Sequence, residues 1–151
     1  MLNQSIAQIA EVTLGYKSKI AVSERPKIQS SGDAEDILRP FFQPIMEHHE
    51  AFYILLLNRA HRVLGVMKIS EGGLSGTVVD LRMIFQCALL SHAQAIILAH
   101  NHPSGTTQAS EQDKRLTSKL VKAGAMMDIP VLDHIIFTEE SYMSFADEGM
   151  M

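Results

Sequence analysis

Two histidines one residue apart, His100 and His102, stand at the end of a short apolar run, Ala95-Ile-Ile-Leu-Ala99. The run reads as a buried strand. On a strand, residues i and i+2 point to the same side, with Cα atoms about 6.5 Å apart. Two imidazoles can therefore converge on one cation. Pro103-Ser-Gly105 then turns the chain, Ser110 opens a helical pattern, and Asp113 lies in its first turn. Two nitrogens from a strand end and one carboxylate from a helix start make a set of three protein ligands. Three ligands with a fourth position left for water is the arrangement of catalytic zinc sites, whereas structural sites usually close with four. The same residues also have plainer duties. Ser-x-x-Asp ahead of an apolar helix is a capping signature, in which Ser110 serves the backbone and Asp113 sits at the positive helix end. The two duties are compatible, because a carboxylate in a first turn can still face a cation.

The full string His100-Asn-His102-Pro-Ser-Gly-Thr-Thr-Gln-Ala-Ser110-Glu-Gln-Asp113 resembles the JAMM (MPN-type) metalloprotein motif. The variant His-Asn-His-Pro-Ser-Gly, with Leu132-Asp-His134-Ile downstream, looks like the RadC family, named for a supposed role in DNA repair. The resemblance runs from about Glu50 to Asp147. It implies a layered α/β domain of the JAMM/MPN, cytidine-deaminase-like kind, with zinc on His100, His102 and Asp113. It also implies hydrolysis of an amide or isopeptide bond in a peptide or protein substrate. In that family the general base is a glutamate at the head of an apolar strand well upstream of the histidines. Glu50, which precedes Phe52-Tyr-Ile-Leu-Leu, matches this description, and Glu71 in Glu71-Gly-Gly73 is its competitor. Read without the family, Glu50 is sooner a solvent-facing residue at a strand start, and it is the motif downstream that reverses the preference. The family further implies that Ser110 donates to the oxyanion of a tetrahedral intermediate, a contact whose loss typically costs about 10²–10³ in rate. A hydroxyl can cap through a lone pair and still donate its hydrogen.

His134 sits on an apolar strand, where a histidine is more often a hydrogen-bonded core residue than a ligand. It is a candidate for orienting one of the ligands from behind. Asn101 and Ser104 are read as shaping the motif loop. His48, His49, His61 and His92 read as surface or strand-end residues.

The elements that must carry these groups fit one domain of 151 residues, long enough to bury a core. Apolar residues make up 46% and charged residues 20%, an ordinary globular balance. Net charge is −4, which argues against a surface that sheathes nucleic acid throughout. The single cysteine, Cys87, excludes an internal disulfide framework and reads as a small core residue. No apolar run approaches the roughly 20 residues of a membrane span. Met1-Leu-Asn-Gln-Ser-Ile lacks the basic flank and apolar block of a signal peptide, so a cytoplasmic location is expected. RadC-like proteins of full length carry an N-terminal helical segment resembling a DNA-binding hairpin module, and residues 1–49 do not resemble it. DNA is therefore expected as a weak or indirect partner. The rival reading is a non-catalytic or DNA-associated genome-maintenance module that retains the metal. A zinc nuclease is a third, disfavoured because two-metal phosphoryl sites usually want more carboxylates.

In chain order, residues 1–30 are expected as an N-terminal arm with a strand over Val12 to Val22, ahead of a domain over residues 31–151. A helix is expected from Ser31, disturbed at Pro40 and Pro44. A hairpin of two strands follows from Glu50 and Arg62, then a short extended piece from Leu74 to Val79. Asp80 caps a helix through Leu90, and Ala95 to Ala99 forms a strand. The helix from Ser110 should end or weaken at Gly124. Ile129 to Phe137 is the last long strand, and Tyr142 to Ala146 reads as a short helix. Alternating strands and helices make a mixed central sheet flanked by helices the expected fold.

Overall fold

Strands that are apolar at nearly every position belong inside a sheet whose two faces are both covered. Two stretches of this chain are of that kind. The computed structural model, which describes residues 9–73 and 76–151, places them side by side as β1 (Ala51–Leu57) and β3 (Ala95–Asn101). Beyond β1 lies β2 (Val63–Glu71), and beyond β3 lie β4 (Val131–Phe137) and β5 (Tyr142–Ser144). The sheet order is β2-β1-β3-β4-β5. Pairing is antiparallel throughout except between β3 and β4, which run parallel, so the sheet is mixed.

Among the described residues three helices cover it: α1 (Ser31–Phe42), α2 (Leu81–Leu90) and α3 (Glu111–Met126). Side chains alternate across a strand. Ala51, Leu55 and Leu57 of β1 and Ala95, Ile97 and Ala99 of β3 therefore pack with Leu38 and Phe42 of α1. Phe52, Ile54 and Leu56, with Ile96 and Leu98, pack on the other side with Ile84 and Phe85 of α2 and Leu120 of α3. The result is a three-layer α/β domain with β3 at the centre of the sheet. Among the described residues no helix is long and apolar enough to cross a membrane.

The helix starts are those the sequence signals. Ser30 and Asp33 form a capping box on α1, and Asp80 caps α2 by accepting from the Arg82 N–H. Pro40 sits inside α1 close to its end, and Pro44 falls in the 3-10 turn that follows, so the expected disturbance is a short tail rather than a split.

Three expectations are corrected. No strand forms over Val12 to Val22; that stretch is irregular until a 3-10 turn at Val22–Glu24. Its alternating apolar residues find nothing to bury against among the described residues, where Val12 and Leu14 remain 84% and 70% exposed. Gly124 does not end α3, which runs on to Met126. A Cβ there would lie 2.4 Å from the Ile129 carbonyl oxygen, so the glycine admits the chain that returns to β4. Tyr142 to Ala146 is not helical: Tyr142–Ser144 is β5, paired to the free edge of β4. The Asp133 carboxylate secures this return by accepting from the Ser144 hydroxyl and the Ala146 N–H, at 2.6 and 3.0 Å. Of the extended piece expected from Leu74 to Val79, residues 74 and 75 lie outside the described residues, as do residues 1–8 of the N-terminal arm. Residues 77–79 form no regular element.

Candidate metal centre

The antiparallel register pairs Phe52 of β1 with His100 of β3. Continuing that ladder, the start of β1 comes beside the end of β3, so Glu50 falls next to the residues that follow His100. Alternation then sorts the motif. His100 shares the face of Phe52, and the two rings stack with centroids 6.0 Å apart. Asn101 points to the opposite layer, under α1. His102, two residues on, returns to the side of His100.

Asp113 comes from the first turn of α3. Its Oδ2 accepts the Ser110 N–H at 2.9 Å, and Ser110 Oγ accepts the Asp113 N–H at 3.0 Å. This capping box aims the carboxylate at the histidines. Asp113 Oδ1 lies 3.3 Å from His100 Nε2, and Oδ2 lies 3.3 Å from His102 Nε2. The two Nε2 atoms are 2.9 Å apart. A tetrahedral ion with bonds of about 2.0 Å has ligand–ligand edges of about 3.3 Å, so the two ring nitrogens and the carboxylate are spaced for a zinc-sized cation. Each ligand offers one atom, and all lie within 4.8 Å of one another.

The rings are also turned correctly. His102 Nδ1 is 2.8 Å from the Thr106 carbonyl oxygen, which can only accept. Nδ1 therefore carries the hydrogen in the neutral ring and Nε2 presents its lone pair. His100 Nδ1 is 2.7 Å from Nε2 of the fully buried His134, so His134 is placed where it can hold the His100 ring from behind.

Electrostatics matches a cation-binding pocket. Burial opposes ionisation of Asp113, but hydrogen bonds from His100 and His102 outweigh it and hold the carboxyl far below the usual carboxylate range. Burial likewise disfavours charge on His102, but its contacts with Asp113 and the Thr106 carbonyl raise its pKa above the ordinary histidine value. Burial, and then the charge of His100, push His134 well below that value, so it is neutral.

These groups open onto a cleft of about 510 Å³ lined by Glu50, Phe52, His100, His102, Ser110 and Asp113, with Thr77, Val79, Gln108 and Leu116 around them. The two glutamates differ. Glu50 lines the cleft, and among the described residues its carboxylate makes no hydrogen bond or ion pair. Glu71 ends β2 outside the cleft lining, bound to Lys68 at 2.6 Å and to His49. Its hydrogen bonds to Lys68 and then His49 hold its pKa below the ordinary glutamate value, which makes it a poor proton acceptor. Ser110 is exposed to the cleft, and its hydroxyl hydrogen has no protein acceptor among the described residues.

Two contributors were undervalued by sequence reasoning. Asn101, read only as a loop residue, is fully buried. Its Oδ1 accepts the Ala51 N–H at 2.9 Å, and its Nδ2 donates to the carbonyls of Met46 and His49 at 3.0 and 2.9 Å. It thus grips both residues that flank Glu50 while standing between the two histidines. The signal was its place between i and i+2 ligands, where alternation sends an amide into an apolar layer that must satisfy it. Thr117, not singled out at all, lies one helical turn after Asp113 and touches His134.

The model of the RadC-like JAB domain family matches residues 28–150. The chain belongs to the RadC-like JAB domain family. Among relatives, a UPF0758 protein of Flavobacterium johnsoniae is 38% identical over 148 residues, covering 97% of this chain and 64% of that protein. A UPF0758 protein of Salinibacter ruber is 38% identical over 146 residues, with 97% and 62% covered. One from Porphyromonas gingivalis is 39% identical over 137 residues, with 88% and 60% covered. The chain therefore spans about three fifths of the length of these curated relatives. The match to this RadC-like JAB domain begins at Ile28, well before Glu50, and so takes in α1 as well as the motif-bearing sheet.

Proposed function

We propose that this RadC-like JAB domain is a zinc-dependent hydrolase that cleaves an amide or isopeptide bond in a peptide or protein substrate. The observation that carries the reading is the cleft in which the His100, His102 and Asp113 ligand atoms meet the Ser110 hydroxyl and a Glu50 carboxylate with no partner among the described residues. Two imidazole nitrogens and one carboxylate oxygen suit zinc and leave a position open. Bound zinc supplies Lewis acidity and makes water a competent nucleophile near neutral pH.

The chain's own groups divide the remaining work. Glu50 accepts the proton of the attacking water and passes it to the amine nitrogen as the C–N bond breaks. Ser110 gives its free hydroxyl hydrogen to the carbonyl oxygen as negative charge builds there. Asn101 fixes the backbone on either side of Glu50, and Phe52 walls the pocket against His100.

The choice of an amide over a phosphodiester rests on charge. The cleft lining contains Glu50 and Asp113 and no lysine or arginine among the described residues. A polyphosphate backbone is bound by cations that neutralise it. With the net charge of −4, this makes DNA a weak or indirect partner.

The test is a panel of peptide and isopeptide substrates incubated with zinc-loaded protein. Glu50→Gln should keep zinc and lose about 10²–10⁴ of the rate, the usual worth of a general base. Glu71→Gln should keep most of it. Undiminished hydrolysis by zinc-loaded Glu50→Gln, beside an inactive Glu71→Gln, would overturn the assignment.

A further inference from the structure

Behind the ligands runs a line of hydrogen bonds that joins one ligand residue to another. His100 Nδ1 meets His134 Nε2 at 2.7 Å, and His134 Nδ1 meets Thr117 Oγ1 at 2.6 Å. Thr117 Oγ1 in turn donates to the Asp113 carbonyl oxygen at 2.7 Å. The line begins at one ligand residue and ends on the backbone of another. All three side chains are buried, with His134 fully enclosed, stacked on Phe145 at 4.8 Å and edge-on to Phe52 at 5.6 Å.

A hydroxyl has one hydrogen to give. With that hydrogen on the Asp113 carbonyl, Thr117 can offer His134 only a lone pair. His134 must then carry its hydrogen on Nδ1 and leave Nε2 bare. The bare Nε2 accepts from His100 Nδ1, which leaves His100 Nε2 without a hydrogen on the side of the cleft. Reversing the Thr117 hydroxyl reverses every member of the line and puts a hydrogen on His100 Nε2, where a cation would have to bind.

We propose that Thr117 is a positioning residue for the metal, whose hydroxyl fixes the tautomers of His134 and His100 so that His100 turns a bare Nε2 towards the cation. This rests on the zinc reading above. With a cation on Nε2, His100 carries its one hydrogen on Nδ1, so His134 Nε2 must accept it and His134 cannot carry both hydrogens. The line also binds His100 of β3 to the backbone of Asp113 on α3 through β4, so two ligand-bearing elements are registered against each other.

Thr117→Val keeps the shape and removes the lone pair. In the zinc-loaded form His134 Nδ1–H is then buried without an acceptor. In the metal-free form His134 can move its hydrogen to Nε2 and avoid that fate. The penalty therefore falls on the loaded state, a pattern that a purely structural threonine would not give.

Zinc affinity, measured by competition with a chromophoric chelator, should fall about 10–100-fold in Thr117→Val, the usual effect of losing a partner behind a ligand. Thr117→Ser should restore it, and the thermal midpoint of metal-free Thr117→Val should stay near that of the parent. Nitrogen-15 NMR of the zinc-loaded parent should show His134 protonated on Nδ1 and bare on Nε2, an observation that needs no variant to fold. Parent-like zinc affinity in Thr117→Val, or a His134 protonated on Nε2 in the loaded parent, would overturn the proposal while leaving the zinc reading intact. A parent chain that takes up no zinc would instead refute that reading, and this proposal with it.

Discussion

Replacing Asn101 by leucine removes an amide of nearly the same shape from a fully buried position. The Ala51 N–H loses its acceptor, and the Met46 and His49 carbonyls lose their donors. A buried polar group abandoned in this way costs about 1–3 kcal/mol. His49 is half-buried, so water can reach its carbonyl, and the total belongs near the lower end, about 3–5 kcal/mol. Domains of this size are stable by about 5–15 kcal/mol, so the loss is a large fraction of the whole. With a urea dependence of about 2 kcal/mol per molar, the unfolding midpoint of metal-free protein should fall by roughly 2 M. Asn101→Asp should not rescue it at neutral pH. Its Oδ1 can still accept from Ala51, but its second oxygen then faces the two carbonyls. His102 keeps its own anchors, the N–H bond to Phe137 and the ring bond to Thr106, both independent of Asn101. Zinc binding by folded Asn101→Leu should therefore survive. A loss below about 0.5 kcal/mol, the level of an unremarkable surface change, would refute the claim that this amide pins the residues around Glu50.

Gly124→Ala, normally worth up to about 1 kcal/mol of added stability in a helix, should here destabilise by about 1–3 kcal/mol, read by urea denaturation, because the new Cβ meets the Ile129 carbonyl oxygen. A stabilised variant would show that the α3–β4 connection gives way freely. Burial raises the Asp133 pKa against its hydrogen bonds from Ser144, Ala146 and His134, so the folded chain holds that proton more tightly than the unfolded chain. The contribution of Asp133 to stability should therefore grow as pH falls through its folded pKa and level off below about 3.9; a parent-minus-Asp133→Asn stability difference that is flat between pH 7 and pH 4 would contradict this.

The parts of the fold that were readable from the sequence are those set by local pattern. Ala95 to Ala99 is apolar at every position and became the central strand. The i, i+2 spacing of His100 and His102 set both on one side, and Ser-x-x-Asp at Ser110 fixed the start of α3 and the aim of Asp113 together. What was misread depended on partners distant in sequence. Val12 to Val22 alternates like a strand, but no apolar layer of the described residues receives it. Tyr142–Ser144 is a strand only because β4 leaves an edge open and Asp133 takes its hydrogen bonds. Gly124 counts as a helix breaker by propensity, yet it survives in α3 because a carbonyl needs its space. The contest between Glu50 and Glu71 could not be decided locally either. The features that favour Glu50 are the register of β1 against β3 and the lysine and histidine that occupy Glu71, none of them visible in a local pattern. No local pattern marks Thr117, because the residue it touches is a histidine seventeen residues further along the chain.

The central claim is that His100, His102 and Asp113 hold one zinc ion, and the most direct test is metal content and affinity without any substrate. Parent protein purified in the absence of chelator, or loaded and dialysed, should carry close to one zinc per chain by elemental analysis. His102→Ala, left with two ligands, should lose most of it while remaining folded in the metal-free form. A parent that holds no zinc, or a His102→Ala variant that holds it as tightly as the parent, would reduce the motif to a strand-to-helix turn and contradict the account.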